Sequence, residues 1–116
     1  MSKRSNLLYL GDMFDHARRA HERVAGVSRD EFMRDEDLQI VVMHHVRIVG
    51  EAASRLSSDI RDAHPEIPWV DIIGMRHVIV HDYFKIKVNV LWETATERIP
   101  DLIAALEKFV PRDPPA

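Results

Sequence analysis

Arg76, His77, His81 and Tyr83 fall within one short stretch, MRHVIVHDYF, running from Met75 to Phe84 around the apolar spacer Val78-Ile79-Val80. Arginine stays charged and presents a planar fork that matches the oxygens of a phosphate. Histidine titrates near neutrality and can accept or release a proton. Together they suffice to cleave RNA without a metal. His81 would deprotonate the ribose 2′-hydroxyl or protonate the leaving 5′-oxygen, and Arg76 would stabilise the crowded, negatively charged phosphorane. The product would be a 2′,3′-cyclic phosphate or the 3′-phosphate derived from it.

Helical geometry constrains this reading. Each residue advances roughly 100° around a helix, so Arg76 and Tyr83, seven apart, share a face, as do His77 and His81, four apart. Arg76 and His81, five apart, stand roughly 140° from one another. They cooperate only if the helix ends or distorts near His81, or if a second subunit supplies one of them. Bland readings compete: an Arg near a helix end is commonly a solvated charge, and a His beside a valine run a satisfied imidazole. His77 and His81 could also bind zinc, with Asp82 or with His44 and His45 completing the shell. No Glu follows His77 in the metalloprotease manner, which ranks metal below phosphate chemistry.

The elements that must position these residues are helical. Leu7, Leu10, Phe14, Ala17, His21 and Val24 step by three and four along a first helix, which Gly26 is placed to stop. Ser28 with Glu31 three residues on forms a capping box that opens a short helix around Phe32. The strongest pattern, Leu38, Val42, His45, Val49, Ala52 and Leu56, widened by Val41 and Ile48, predicts a long helix. Ser57-Ser58 ends it or caps a short turn through Ile60 and Ala63. His64-Pro65-Glu66-Ile67-Pro68 is a connector, since each proline disfavours helix in the residue before it, and Pro68 can open the next helix as its first residue. Trp69, Ile72, Ile73 and Val80 give that helix, the motif's own, a core-facing side. Lys85 to Val90 alternates like a strand but has no partner, so it is read as a connector. A last helix is expected from about Val90 to Val110, kinked or broken at Pro100. The expectation is an all-α, antiparallel four-helix bundle with one or two short extra helices. One domain spans residues 1–110, and residues 111–116 form a frayed tail.

Composition narrows the classes. The 116 residues suffice for one core and not two. With no cysteine, neither a disulfide framework nor a thiolate metal site is available, which fits a cytoplasmic protein. Asp12 and Asp15 interrupt the N-terminal segment before an apolar run of signal-peptide length develops, and no stretch approaches the roughly 20 apolar residues of a membrane span. A formal net charge of −3 argues against coating nucleic acid by bulk electrostatics, while leaving room for a local basic cleft.

The spacing Arg76, four residues, His81, one residue, Tyr83 resembles the signature of the HepT-like toxins of the HEPN superfamily. The segments LGDMFDHARRA, DEDLQIVVMHHVRIVGEAASRLS, HPEIPWVDIIGMRHVIVHDYF and VLWETATERIPDLIAAL resemble that family in order and spacing, from about Tyr9 to Phe109. The resemblance implies a small HEPN-like helical protein that dimerises and shares Arg76 and His81 of both subunits in one cleft. It implies a metal-independent endoribonuclease toxin of a type VII toxin–antitoxin system that needs no cofactor. Its partners would be substrate RNA and an MntA-like nucleotidyltransferase antitoxin that transfers AMP to Tyr83. An added nucleotide would bring negative charge and bulk to the place where substrate phosphate must sit. Asp82 takes a position where members often carry Gly or a small polar residue, with little effect expected. His77 replaces the Asn common after the motif Arg, and its expected role is to orient Arg76. Glu51 is the other polar candidate, against the plainer reading of an interhelical hydrogen bond or salt bridge. Gly50 and Gly74 are expected to be close-approach points for helix packing. Two other functions compete with the toxin: a non-catalytic nucleotide- or substrate-binding partner of a nucleotidyltransferase, and a purely structural or metal-binding helical domain.

Overall fold

The computed structural model describes the backbone of residues 3–81 and 87–110, and side chains of residues 5–76 and 87–110. The elements are α1 (Lys3–Val24), α2 (Arg29–Arg34), α3 (Glu36–Arg55), α4 (Ser58–Ala63), α5 (Trp69–His81), α6 (Val88–Glu93), a π-helical segment (Thr94–Arg98) and α7 (Ile99–Glu107). No strand occurs among the described residues, so the all-α expectation holds. The connector reading of Lys85 and Ile86, like the tail at 111–116, lies outside the described residues.

Local signals set several boundaries. Gly26 adopts φ +75, a left-handed conformation that costs glycine nothing and ends the run of α1. Ser28 caps α2, its side chain accepting from the Glu31 N–H at 3.1 Å, and Asp35 caps α3 by accepting from Leu38 N–H at 3.0 Å. Pro68 stands one residue ahead of α5 and not within it. Its carbonyl accepts from the Ile72 N–H at 3.1 Å, the bond that starts the helix. Trp69 then pins that start, its indole N–H donating to the carbonyls of His64 at 2.9 Å and Arg61 at 3.1 Å.

α3 is the middle of the molecule, packed against α1 on one side and α5 on the other. Of the expected stripe, Val42, His45, Val49, Ala52 and Leu56 are buried and Leu38, Val41 and Ile48 half-buried, while Val46, Gly50 and Ala53 add a second buried stripe beside it. A helix covered by two neighbours must bury a wider arc than one amphipathic face. In α1 Leu10, Ala17 and Val24 of the expected face are buried and Phe14 is half-buried, but the buried arc is turned by roughly 50°, half of one residue's advance. Leu7, 50% exposed, and His21 lie outside, while Asn6, Leu10, Met13, Ala17, Ala20 and Val24 are buried. Asn6 turns inward because it is bonded there. It donates from Nδ2 to Ser57 Oγ at 2.9 Å and accepts at Oδ1 from the Ser57 N–H at 3.1 Å. Ser57, expected to cap through its hydroxyl, makes no such bond to α4.

The last helix starts at Val88 and does not break at Pro100. The π-helical segment at 94–98 precedes the proline, which sits in the first turn of α7, where its missing N–H costs least. Thr94 and Thr96 hydroxyls donate to the carbonyls of Val90 at 2.9 Å and Trp92 at 2.8 Å, which supplies donors to the altered ladder. α7 packs on α1, and Trp92 meets Phe32 of α2 with ring centroids 5.2 Å apart. No described helix is long and apolar enough to cross a membrane.

The buried Asn6 clamp joins α1 to the α3–α4 junction, 51 residues away. Asn6→Ala should destabilise the fold by about 1–3 kcal/mol, the cost of leaving the Ser57 backbone donor partly buried without its acceptor. Urea unfolding checks this, and an unchanged midpoint would contradict the clamp.

Candidate active site

The motif helix α5 lies across α3 at one point of unusually close approach. A Cβ built on Gly50 would collide with the Cβ of Arg76, lying also 2.8 Å from the Ile72 carbonyl oxygen and 3.2 Å from Arg76 Cα. Only a residue without a side chain admits this crossing. Gly50 is therefore the close-approach point expected of it. Gly74 is not: it is exposed, and a Cβ there would meet nothing within 4 Å.

The crossing sets the depth of Arg76. Its Cβ rests over Gly50, the residue is half-buried, and its Nε is buried with no hydrogen-bond partner among the described residues. A buried donor of a cationic group left without an acceptor typically costs on the order of 1–3 kcal/mol or more. An anion brought to it recovers that cost. The stem of the guanidinium is fixed by packing, and an uncompensated donor of this kind is open to an anion.

Glu51, one residue from Gly50, is half-buried between two arginines of its own helix. Oε2 lies 3.2 Å from Arg47 Nη1 and Oε1 lies 3.4 Å from Arg55 Nη2. Among the described residues the alternative of a salt bridge thus applies within α3, at i, i+4 spacing, and not between helices. The ladder Arg47–Glu51–Arg55 was legible as charges four apart, and it leaves two cations for one carboxylate on this face.

The backbone of α5 is helical as far as His81. No distortion before that residue brings positions 76 and 81 round to one side, and on a regular helix they remain roughly 140° apart. Positions 77 and 81 share a register with Val70 and Gly74, spaced four, seven and eleven residues along the helix. Val70 is 84% exposed and Gly74 is exposed. Arg76 belongs to the arc turned to α3. The side chains of His77 and His81, and Asp82 and Tyr83 altogether, lie outside the described residues.

Of the residues weighed for zinc, His44 and His45 come together with His16 of α1, a partner that sequence reasoning missed. Burial, with smaller contributions from His16, His44 and nearby arginines, lowers the His45 imidazole to about 4, and burial likewise lowers His16. Nothing in the pattern LGDMFDHARRA signals this contact, because it joins residues 29 apart.

Fold, spacing and Gly50-seated arginine together define an all-α protein of HEPN type. The family described as Ribonuclease HepT-like matches residues 13–109. The chain belongs to that family. It is 36% identical over 107 residues to "Probable ribonuclease HepT" of Thermococcus cleftensis, covering 92% of this chain and 97% of the relative. It is 33% identical over 92 residues to "Putative RNase TTE0752" of Caldanaerobacter subterraneus subsp. tengcongensis, covering 79% and 82%. A third relative, "Putative RNase MJ1380" of Methanocaldococcus jannaschii, is 29% identical over 107 residues, covering 92% and 98%. No solved structure matches.

The crossing yields a paired prediction. Gly50→Ala forces backbone atoms apart and should destabilise by about 1–3 kcal/mol, as small-to-large substitutions in packed contacts do. Gly74→Ala, in open space on a helix, should stabilise by roughly 0.5–1 kcal/mol. Thermal or urea unfolding of the two variants decides, and equal effects would refute the close approach.

Proposed function

We propose that this chain is a metal-independent endoribonuclease that acts as the toxin of a type VII toxin–antitoxin pair. Arg76 binds the scissile phosphate and stabilises the phosphorane, and His81 transfers protons. The observation that carries the reading is the buried Nε of Arg76, without a partner among the described residues and seated over Gly50 in a chain of the HepT-like family. His77 helps to orient Arg76, and Glu51 holds Arg47 and Arg55 beside the crossing.

A homodimer solves the angular problem. Within one helix the arginine and histidine positions diverge, and exposed Val70 and Gly74, whose register positions 77 and 81 share, offer a surface for a second copy to cover. A two-fold cleft would present two Arg76 and two His81. One imidazole then takes the 2′-hydroxyl proton as the 2′-oxygen attacks phosphorus. The other, protonated, gives its proton to the 5′-oxygen as the P–O5′ bond breaks. Arg76 faces charge that grows in the transition state, where a fixed donor stabilises most. An MntA-like nucleotidyltransferase antitoxin would silence the cleft by placing AMP on Tyr83, since a nucleotide there repels and displaces the substrate phosphate.

Incubated with total RNA in EDTA, the purified unmodified protein should leave 2′,3′-cyclic or 3′-phosphate ends. Arg76→Ala and His81→Ala should each lose at least roughly 100-fold in rate, as removal of one transition-state donor does elsewhere, with unchanged circular dichroism. Absence of cleavage by protein shown by mass spectrometry to carry no AMP would shift the reading to a non-catalytic partner of a nucleotidyltransferase.

Tyr83→Phe should retain part of the nuclease activity while escaping neutralisation by AMP transfer. Co-expression with the antitoxin followed by mass spectrometry checks this. Continued AMP transfer and neutralisation in the Phe variant would exclude Tyr83 as the acceptor.

A further inference from the structure

Outside the motif, three histidines converge where α1 packs on α3. His16 comes from α1, and His44 and His45 are adjacent on α3. Each offers a ring nitrogen, and these nitrogens lie within 4.8 Å of one another. The closest pair, His16 Nδ1 and His45 Nδ1, is 2.9 Å apart. Ring centroids are separated by 5.1 Å for His16–His45, 5.3 Å for His44–His45 and 6.1 Å for His16–His44. From this convergence we infer that His16, His44 and His45 form a binding site for a divalent transition-metal ion, zinc the natural candidate, that clips α1 to α3.

The geometry suits the ion. With zinc–nitrogen bonds of 2.0–2.1 Å, nitrogens at tetrahedral angles stand about 3.3 Å apart, between the closest and the widest separations here. The two Nδ1 atoms that face each other need to open slightly, and exposed His44 must release the Arg47 guanidinium, 3.4 Å from its Nδ1, to swing inward. His45 is only 7% exposed and His16 is half-buried, so two of the three ligands are already ordered by packing. Between two neutral imidazoles at 2.9 Å one Nδ1 carries a proton and the other accepts it; once the donor ring moves that proton to its own Nε2, through solvent, a metal can take an Nδ1 lone pair from each. The exposed side at His44 leaves the fourth position to water. Imidazole ligands without thiolate or paired carboxylates favour zinc, copper or nickel over magnesium or calcium. Asp12 and Asp15 of α1 act on His16 with the sign that favours a cation, while Arg19 opposes it there and Arg19 and Arg23 oppose it at His45; Arg47 Nη2 lies 3.4 Å from His44 Nδ1. The site is separate from the Arg76–His81 motif and stands or falls independently of the nuclease reading.

The untagged protein, stripped with a chelator that is then removed, should be titrated with Co²⁺ and followed by visible absorption. One equivalent should give the intense ligand-field bands of a four-coordinate site, and Zn²⁺ should displace it. Zn²⁺ should also raise the melting temperature. His44→Ala, at an exposed position, and His16→Gln, which retains a polar group of similar reach, should each weaken affinity by roughly tenfold or more, since even outer partners of a metal ligand are worth that much. Both variants should keep the wild-type circular dichroism. No binding by the wild type, binding at many weak sites, or affinity unmoved by either substitution would overturn the site.

Discussion

The contact between Gly50 of α3 and Arg76 of α5 is the constraint on which the rest of the site depends. Because Gly50 has no Cβ, the two backbones come close enough for the Ile72 carbonyl and the Arg76 stem to occupy its place. That proximity sinks the base of the arginine side chain into the interface and buries Nε without an acceptor among the described residues. Holding a cation there opposes folding, and the apolar packing of α3 against its neighbours must offset it. At its other end the helix carrying the motif is anchored by the Trp69 indole, which donates to two carbonyls.

α3 carries polar inclusions on two different arcs. Towards α5 it offers Gly50 and seats Arg76; towards α1 it offers His45, which meets His16. Residues 45 and 50 are five apart, roughly 140° around the axis, so one helix serves two neighbours without the two polar groups competing. The third large contact, α1 with α7, closes the arrangement. There the π-helical segment lets the last helix run past Pro100, with threonine hydroxyls donating to the carbonyls of Val90 and Trp92. The stacking of His64 on Phe109, centroids 3.6 Å apart, ties the end of this helix to the connector before α5.

Much of this was written in the local sequence. The capping box at Ser28, the stop at Gly26, the long stripe through Val42, Val49 and Leu56 and the start of α5 beside Pro68 are properties of nearby residues. Their signals survive into the structure because caps and periodicity act over one or two turns. The motif spacing and the resemblance it carries pointed to the family, and arithmetic on a helix alone set positions 76 and 81 roughly 140° apart. Tertiary structure decided what local pattern left equivalent. It turned the buried arc of α1 by roughly half of one residue's advance, so that Asn6 faces inward and meets Ser57 across 51 residues. It distinguished Gly50 from Gly74, identical in type, by what lies opposite each. It turned Glu51 to its own helix's arginines and brought His16 to His44 and His45. Such contacts depend on which helix packs beside which and at what rotation, and spacing along one segment carries no information about its neighbour.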